Sequence, residues 1–169
     1  MKPDYLQISA KIKEILKDSK WDSILRPFMN TREFDDIFKK LIEQVDLGFR
    51  FTPPLKTVFK AFEVCPYDKV RMVIVSDQPS MFITQSDGLA LSCSVTKKPD
   101  LKLTQVFNAI NLTVYDGKRE EMDPDLSRWV NQGILLLNVS LTSRIDKSGK
   151  HYEIWRSFMN FFIEQLNFY

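Results

Sequence analysis

Between residues 5 and 45, apolar residues recur at the three- and four-residue spacing of helices that turn one face to a core. Leu6, Ile8, Ile12, Ile15 and Leu16 predict an amphipathic helix, which the polar break Asp18-Ser19-Lys20 ends. Trp21, Ile24, Leu25 and Phe28 predict a second, short helix limited by Pro27, because proline lacks a backbone donor and crowds the preceding turn. Thr31 offers an N-cap to a third helix, whose strong stripe is Phe34, Ile37, Phe38, Leu41, Ile42 and Val45. An aromatic stripe at this spacing is core packing. The adjacent Pro53 and Pro54 make residues 48–54 a loop, and Val58, Phe59 and Phe62 predict a short helix after it.

At residue 69 the period changes. Met72, Val73, Ile74 and Val75 form an apolar, largely β-branched run of the kind that becomes a strand buried on both faces, and it stops at the polar turn Ser76-Asp77-Gln78-Pro79-Ser80-Met81. Open α/β sheets meet ligands at the carboxyl ends of their strands, so Asp77, Gln78 and Ser80 are the first candidates for chemistry. Residues 82–88 are a loop closed by Gly88, and the apolar segment 89–95 is broken by Thr96-Lys97-Lys98-Pro99-Asp100. Leu103, Val106, Phe107, Ile110 and Leu112 predict a helix, and Tyr115-Asp116-Gly117-Lys118-Arg119 turns out of it. Leu126, Trp129 and Val130 predict a short helix that stops near Gly133 as a left-handed C-cap. Ile134-Leu135-Leu136-Leu137 is a second fully apolar strand, ending in Asn138. Ile154, Trp155, Phe158, Phe161, Phe162 and Leu166 then predict a final helix over residues 152–168.

Two apolar strands separated by helices imply a parallel α/β arrangement with helices on both faces. Two strands are few for such a sheet, because each edge exposes a row of unpaired backbone groups. Further pairing comes either from less obvious segments or from another chain.

With 169 residues, 44% hydrophobic and 27% charged, the chain has the composition of a globular domain that can bury one core without disulfides. It divides into a helical segment, residues 1–50, and an α/β core, residues 51–169, within one compact domain. A net charge of +2 is too small to signal nucleic acid, so a basic surface would have to come from local clustering. Cys65, Cys93 and the single histidine, His151, show no metal-ligand spacing, so free thiols and no metal or other cofactor are expected. The start Met1-Lys2-Pro3-Asp4 is no signal peptide, and no apolar run reaches the roughly 18 residues of a membrane span, which points to the cytoplasm or the nucleus and to no membrane partner.

From residue 52 to residue 166 the order of pieces resembles family 1 uracil-DNA glycosylase: a Pro-Pro loop, a strand, a polar turn with Pro79, a Gly-Leu segment and an apolar strand ending in Asn. The most specific part runs from Leu126 through Trp129, Gln132-Gly133, Leu135-Leu136-Leu137-Asn138 to Leu141-Thr142, close to the family's L-x-x-W-x-x-Q-G-V-L-L-L-N-x-x-L-T, with His151 and Trp155 downstream. The resemblance implies a three-layer α/β/α fold with a short, mostly parallel central sheet. It also implies an ancestry of extruding uracil from DNA and cutting its N-glycosidic bond.

At the strand-end turn the family reads G-Q-D-P-Y-H. Anchored on Pro79, its catalytic aspartate falls on Gln78, a neutral amide that can neither take a proton from water nor balance a developing sugar cation. Asp77 keeps a carboxylate one position away, and alternation along an extended segment would turn it to the opposite side. The tyrosine that excludes thymine corresponds to Ser80, the following histidine to Met81, and the phenylalanine on which uracil stacks to Leu91. Asn138, whose amide pairs with the uracil edge, stands where the family has it. The family's proline-rich phosphate clamp aligns with Lys97-Lys98-Pro99-Asp100-Leu101-Lys102, so Lys97, Lys98 and Lys102 become candidates for holding phosphates as point charges. Two further strands and the H-P-S-P-L-S loop, with its anion-stabilising histidine, have no counterpart in these 169 residues, and His151 matches a different family histidine.

The expectation is a catalytically inactive glycosylase-like module that binds DNA or a protein. One alternative is an active enzyme using a shifted Asp77, and another is an assembly subunit whose open sheet edge a partner chain completes. If Lys97, Lys98, Lys102, Lys118 and Arg119 gather on the face of Asn138, DNA is favoured; an apolar face there favours a protein.

Overall fold

A computed structural model describes residues 4–166 apart from positions 18, 83, 84, 146, 148 and 150. Asp18 of the polar break, positions 83 and 84 of the predicted loop, and the end of the last predicted helix with Phe168 lie outside the described residues.

The N-terminal segment is helical as its spacing predicts: α1 (Tyr5–Lys17), α2 (Asp22–Met29) and α3 (Arg32–Asp46). Pro27 does not end α2, which runs on to Met29. The Thr31 hydroxyl caps α3 by accepting the Phe34 N–H. Trp21, fully buried, fastens this layer to the rest. Its indole donates to the Cys65 carbonyl at 2.7 Å, and its ring meets Phe62 and Tyr67 edge-on, with centroids 5.1 Å away in each case.

The core strands are β2 (Met72–Ser76) and β3 (Ile134–Asn138), paired in parallel from Met72 opposite Ile134 to Ser76 opposite Asn138. Around them lie the short α4 (Lys60–Val64), α5 (Leu101–Thr113), the single-turn α6 (Ser127–Val130) and α7 (Tyr152–Leu166). The aromatic side chains of α7 close the core, where Phe158 packs edge-on against Phe59 at 5.6 Å and Phe62 at 6.0 Å. A second, two-residue pairing escapes the sequence pattern: β1 (Phe51–Thr52) runs antiparallel to β4 (Ser143–Arg144). Gly133 ends α6 with φ +85°, and a Cβ there would collide with the Lys69 carbonyl oxygen, so the close entry of β2 beside β3 needs glycine.

One expectation about β2 is corrected. The run predicts a strand buried on both faces, yet Met72 and Val75 are about half exposed, at 56% and 48%, while Leu135, Leu136 and Leu137 of β3 are buried. The reason is position. Among the described residues β2 pairs only with β3, whereas β3 is also met on its far side, where the Ala90 N–H donates to the Leu136 carbonyl. The apolar run is therefore an edge strand here, with its outer row of backbone groups open.

Candidate functional site

A cavity of about 370 Å³ opens at the carboxyl ends of β2 and β3, the position at which α/β sheets receive ligands. The turn after β2 forms one wall, the segment from Gln85 to Cys93 a second, and the start of α5 a third, while Asn138 lies at its base. Parallel pairing continues past the strands, since Val139 N–H donates to the Ser76 carbonyl (2.8 Å) and Ser140 N–H to that of Asp77 (2.9 Å). These bonds fix the turn against the chain that leaves Asn138.

Asp77 and Gln78 both line this cavity, contrary to the expectation that alternation turns Asp77 away. Alternation holds only while the backbone stays in the strand, and β2 ends at Ser76. The two side chains have different partners. Gln78 accepts the Gly149 N–H through Oε1 at 2.9 Å, which ties the turn to the loop before α7. Asp77 is ion-paired with Lys102 and accepts its neighbour's Gln78 N–H at 2.7 Å. Partial burial pushes the Asp77 carboxyl up, but the Lys102 hydrogen bond, the Gln78 N–H and the Lys102 charge outweigh it and hold the group below the ordinary carboxylate range. Tyr152, hydrogen-bonded to Asp77, has its phenol pushed up by burial first and then by that negative charge.

Asn138 is buried, and its Oδ1 has no hydrogen-bond partner among the described residues. Leu91 lines the cavity with φ +65°, supplying apolar surface without a ring face. Ser80 donates its hydroxyl to Gln85 Oε1 at 2.6 Å, and Met81 lies exposed at the mouth. The segment carrying Leu91 is held from beneath by buried Asp87, which accepts from Lys60 (3.1 Å), the Leu89 N–H (3.0 Å) and Ser92 (3.3 Å), and also from Ser94.

The cations do not gather as one face. Lys102 reaches the cavity, but its charge meets Asp77. Lys97 points to Asp125 at 3.0 Å, and that carboxyl is held at about 2 by the Ser127 hydroxyl first and by Lys97 second. Lys98 is exposed in the same loop, and Lys118 and Arg119 stand between Gly117 and Glu120, which bond Asn111 near the end of α5, whereas Lys102 stands at its start. His151 is buried outside the cavity wall and bonded through Nδ1 to Thr142 Oγ1 (2.8 Å), which also accepts the Trp155 indole N–H (2.7 Å).

Among the lining residues that the sequence pattern did not mark are Phe82, Leu101 and Asp100. Asp100 caps α5 by accepting the Leu103 N–H at 2.9 Å, and an Asp three residues before a buried Leu was the available signal for it. Phe82 and Leu101 are isolated apolar residues beside turns, which carry no periodic signal.

The chain is thus an α/β protein with a cavity at its strand ends and an unmet amide oxygen lining that cavity. Over 162 residues it is 30% identical to the uracil-DNA glycosylase of Campylobacter hominis, covering 95% of this chain and 68% of that one. Over 154 residues it is 32% identical to the uracil-DNA glycosylase of Bacteroides thetaiotaomicron, covering 88% and 67%. The chain belongs to the uracil-DNA glycosylase family. Its fold matches that of the mimivirus uracil-DNA glycosylase with a TM-score of 0.77 at 20% identity, over 89% of this chain and 58% of that one. No protein-family model matches. The chain thus spans about two thirds of the curated relatives and less of the mimivirus protein.

Proposed function

We propose that this is a uracil-DNA glycosylase-like module, of the cytoplasm or nucleus, that receives a pyrimidine from DNA beside Asn138 and has lost efficient excision. The scattered lysines and the apolar mouth do not favour DNA on charge, so one observation carries the base-binding role against them: the buried Asn138 amide oxygen without a donor among the described residues. Such an acceptor costs roughly 1–3 kcal/mol while it goes unmet. Uracil presents an N–H at N3 that satisfies it, whereas cytosine presents a lone pair there. Leu91 gives the base an apolar wall, and Ser80 is too small to bar a methyl group, so thymine enters as well.

Loss of excision is supported by the two side chains at the turn. Gln78 is neutral and engaged with Gly149, and Asp77, though ionised, is engaged with Lys102 and Tyr152. Neither is poised as a base. Of the three candidate lysines, Lys98 is exposed and outside the ion pairs that hold Lys97 and Lys102, so it is the one left to meet a phosphate. The test is a titration with single-stranded oligonucleotides that differ only in one uracil or cytosine. The wild-type chain is expected to prefer uracil, and Asn138→Ala to reduce that preference about five- to a hundredfold, the range for an unmet buried partner. Equal affinity of the wild-type chain for both rejects the role of Asn138.

A second reading rests on a different observation, the open outer edge of β2 with Met72 and Val75 exposed. Another chain adding a strand there would supply hydrogen bonds and cover both side chains. Sedimentation tests it, and a monomer at every concentration with no co-purifying chain counts against it.

A further inference from the structure

Three large apolar side chains that line the cavity are exposed at its mouth: Met81 at 36%, Phe82 at 66% and Leu101 at 74%. Single exposed apolar residues need no explanation, but a convergence around a concave site marks a contact surface. The backbone at Phe82 and beside Leu101 is anchored by hydrogen bonds. The Phe82 carbonyl accepts the Gln85 N–H at 3.0 Å, and Gln85 Oε1 accepts the Ser80 hydroxyl at 2.6 Å. Leu101 opens α5 directly after its Asp100 cap, and the Thr104 hydroxyl donates to the Asp100 carbonyl at 2.7 Å. Charge at the mouth is largely cancelled, because Lys102 and Asp77 neutralise each other and Lys97 is paired with Asp125. A strand that reaches this site meets apolar and aromatic surface more than it meets free cations.

We infer that Phe82 and Leu101 grip the nucleotides on either side of the base seated at Asn138, Phe82 by stacking and Leu101 by apolar contact, so that binding depends little on phosphate charge. This rests on the base-binding role of the cavity and assigns the flanking contacts to residues on its rim. Base–aromatic stacking is sequence-tolerant, since every base has a π face. The rim therefore contributes affinity while Asn138 chooses the base.

The experiment is fluorescence anisotropy with a labelled single-stranded oligonucleotide carrying one deoxyuridine, at two or more salt concentrations, on the whole 169-residue chain. The wild-type chain is expected to show a shallow salt dependence, with a slope of log affinity on log salt near that of a single phosphate contact, about −0.7. Phe82→Ala is expected to weaken binding about five- to a hundredfold and Phe82→Trp to restore it, as stacking of one base commands. Circular dichroism checks that each variant is folded, as a surface position should allow. Asn138→Ala should lose the uracil preference yet keep the effect of Phe82→Ala. If Phe82→Ala binds like the wild type while the uracil preference persists, the rim inference is overturned and the base-binding role stands. A steep salt slope, removed by Lys98→Ala and Lys102→Ala, also overturns it in favour of phosphate contacts. Absence of any oligonucleotide binding overturns both and leaves the apolar rim to a protein.

Discussion

Gln78→Asp is expected to raise uracil excision by about 10²–10⁴-fold over the wild-type chain, the usual contribution of a positioned general base. Gln78 holds the Gly149 N–H through its amide oxygen. An aspartate is one methylene shorter and lets go of that donor, leaving a carboxylate at the cavity wall. Asp77 is the internal comparison, since it already carries a charge on the same wall but spends it on Lys102 and Tyr152. Asp77→Asn is accordingly expected to leave the wild-type rate unchanged. Both are read as alkali-labile abasic sites in a labelled single-stranded substrate. Clear wild-type excision that disappears in Asp77→Asn would show that the neighbouring carboxylate does the work. A Gln78→Asp variant no faster than wild type would mean that more than the missing carboxylate limits the reaction.

Trp21→Ala is expected to cost about 3–5 kcal/mol of stability, as the loss of a buried aromatic side chain does. Against a typical total of about 5–15 kcal/mol, that takes much of the margin. Trp21 has no exposed surface, stands edge-on to Phe62 and Tyr67, and satisfies the Cys65 carbonyl, so its removal leaves both a void and an unmet acceptor. Trp21→Phe keeps most of the ring and should cost nearer 1 kcal/mol for the lost hydrogen bond, beyond a small packing change. Urea denaturation distinguishes them. A midpoint for Trp21→Ala close to wild type would mean that α1–α3 are held to the core by their other contacts.

Much of the scaffold was legible because it rests on local rules. The Thr31 cap and the Phe34-to-Leu41 stripe locate α3, and an all-apolar Ile134–Leu137 followed by Asn138 locates β3 and its end. The family motif from Leu126 to Thr142 added the fold class. Other features depend on what comes from far along the chain. The β1–β4 pairing joins two-residue strands about ninety positions apart, too short for any period to show. The exposure of Met72 and Val75 follows from which neighbours β2 has, and composition of a strand does not state its neighbours. In the site, Asn138 was marked by the family resemblance, which places it at the end of the second apolar strand, but the orientation of Asp77 was not readable. It is set by bonds after the strand, where Ser140 holds the Asp77 carbonyl and Lys102 its carboxylate.

The open edge of β2 also has a colloidal consequence. Met72-Val73-Ile74-Val75-Ser76 is uncharged, free of proline and rich in β-formers, which is the make-up of segments that stack into cross-β zippers. Lys69 and Arg71 before it and Asp77 after it act as charged gatekeepers, opposing the in-register approach of a second copy. Salt screens such repulsion, so concentrated samples in high salt should be the first to cloud, and an occupant on the edge would protect them.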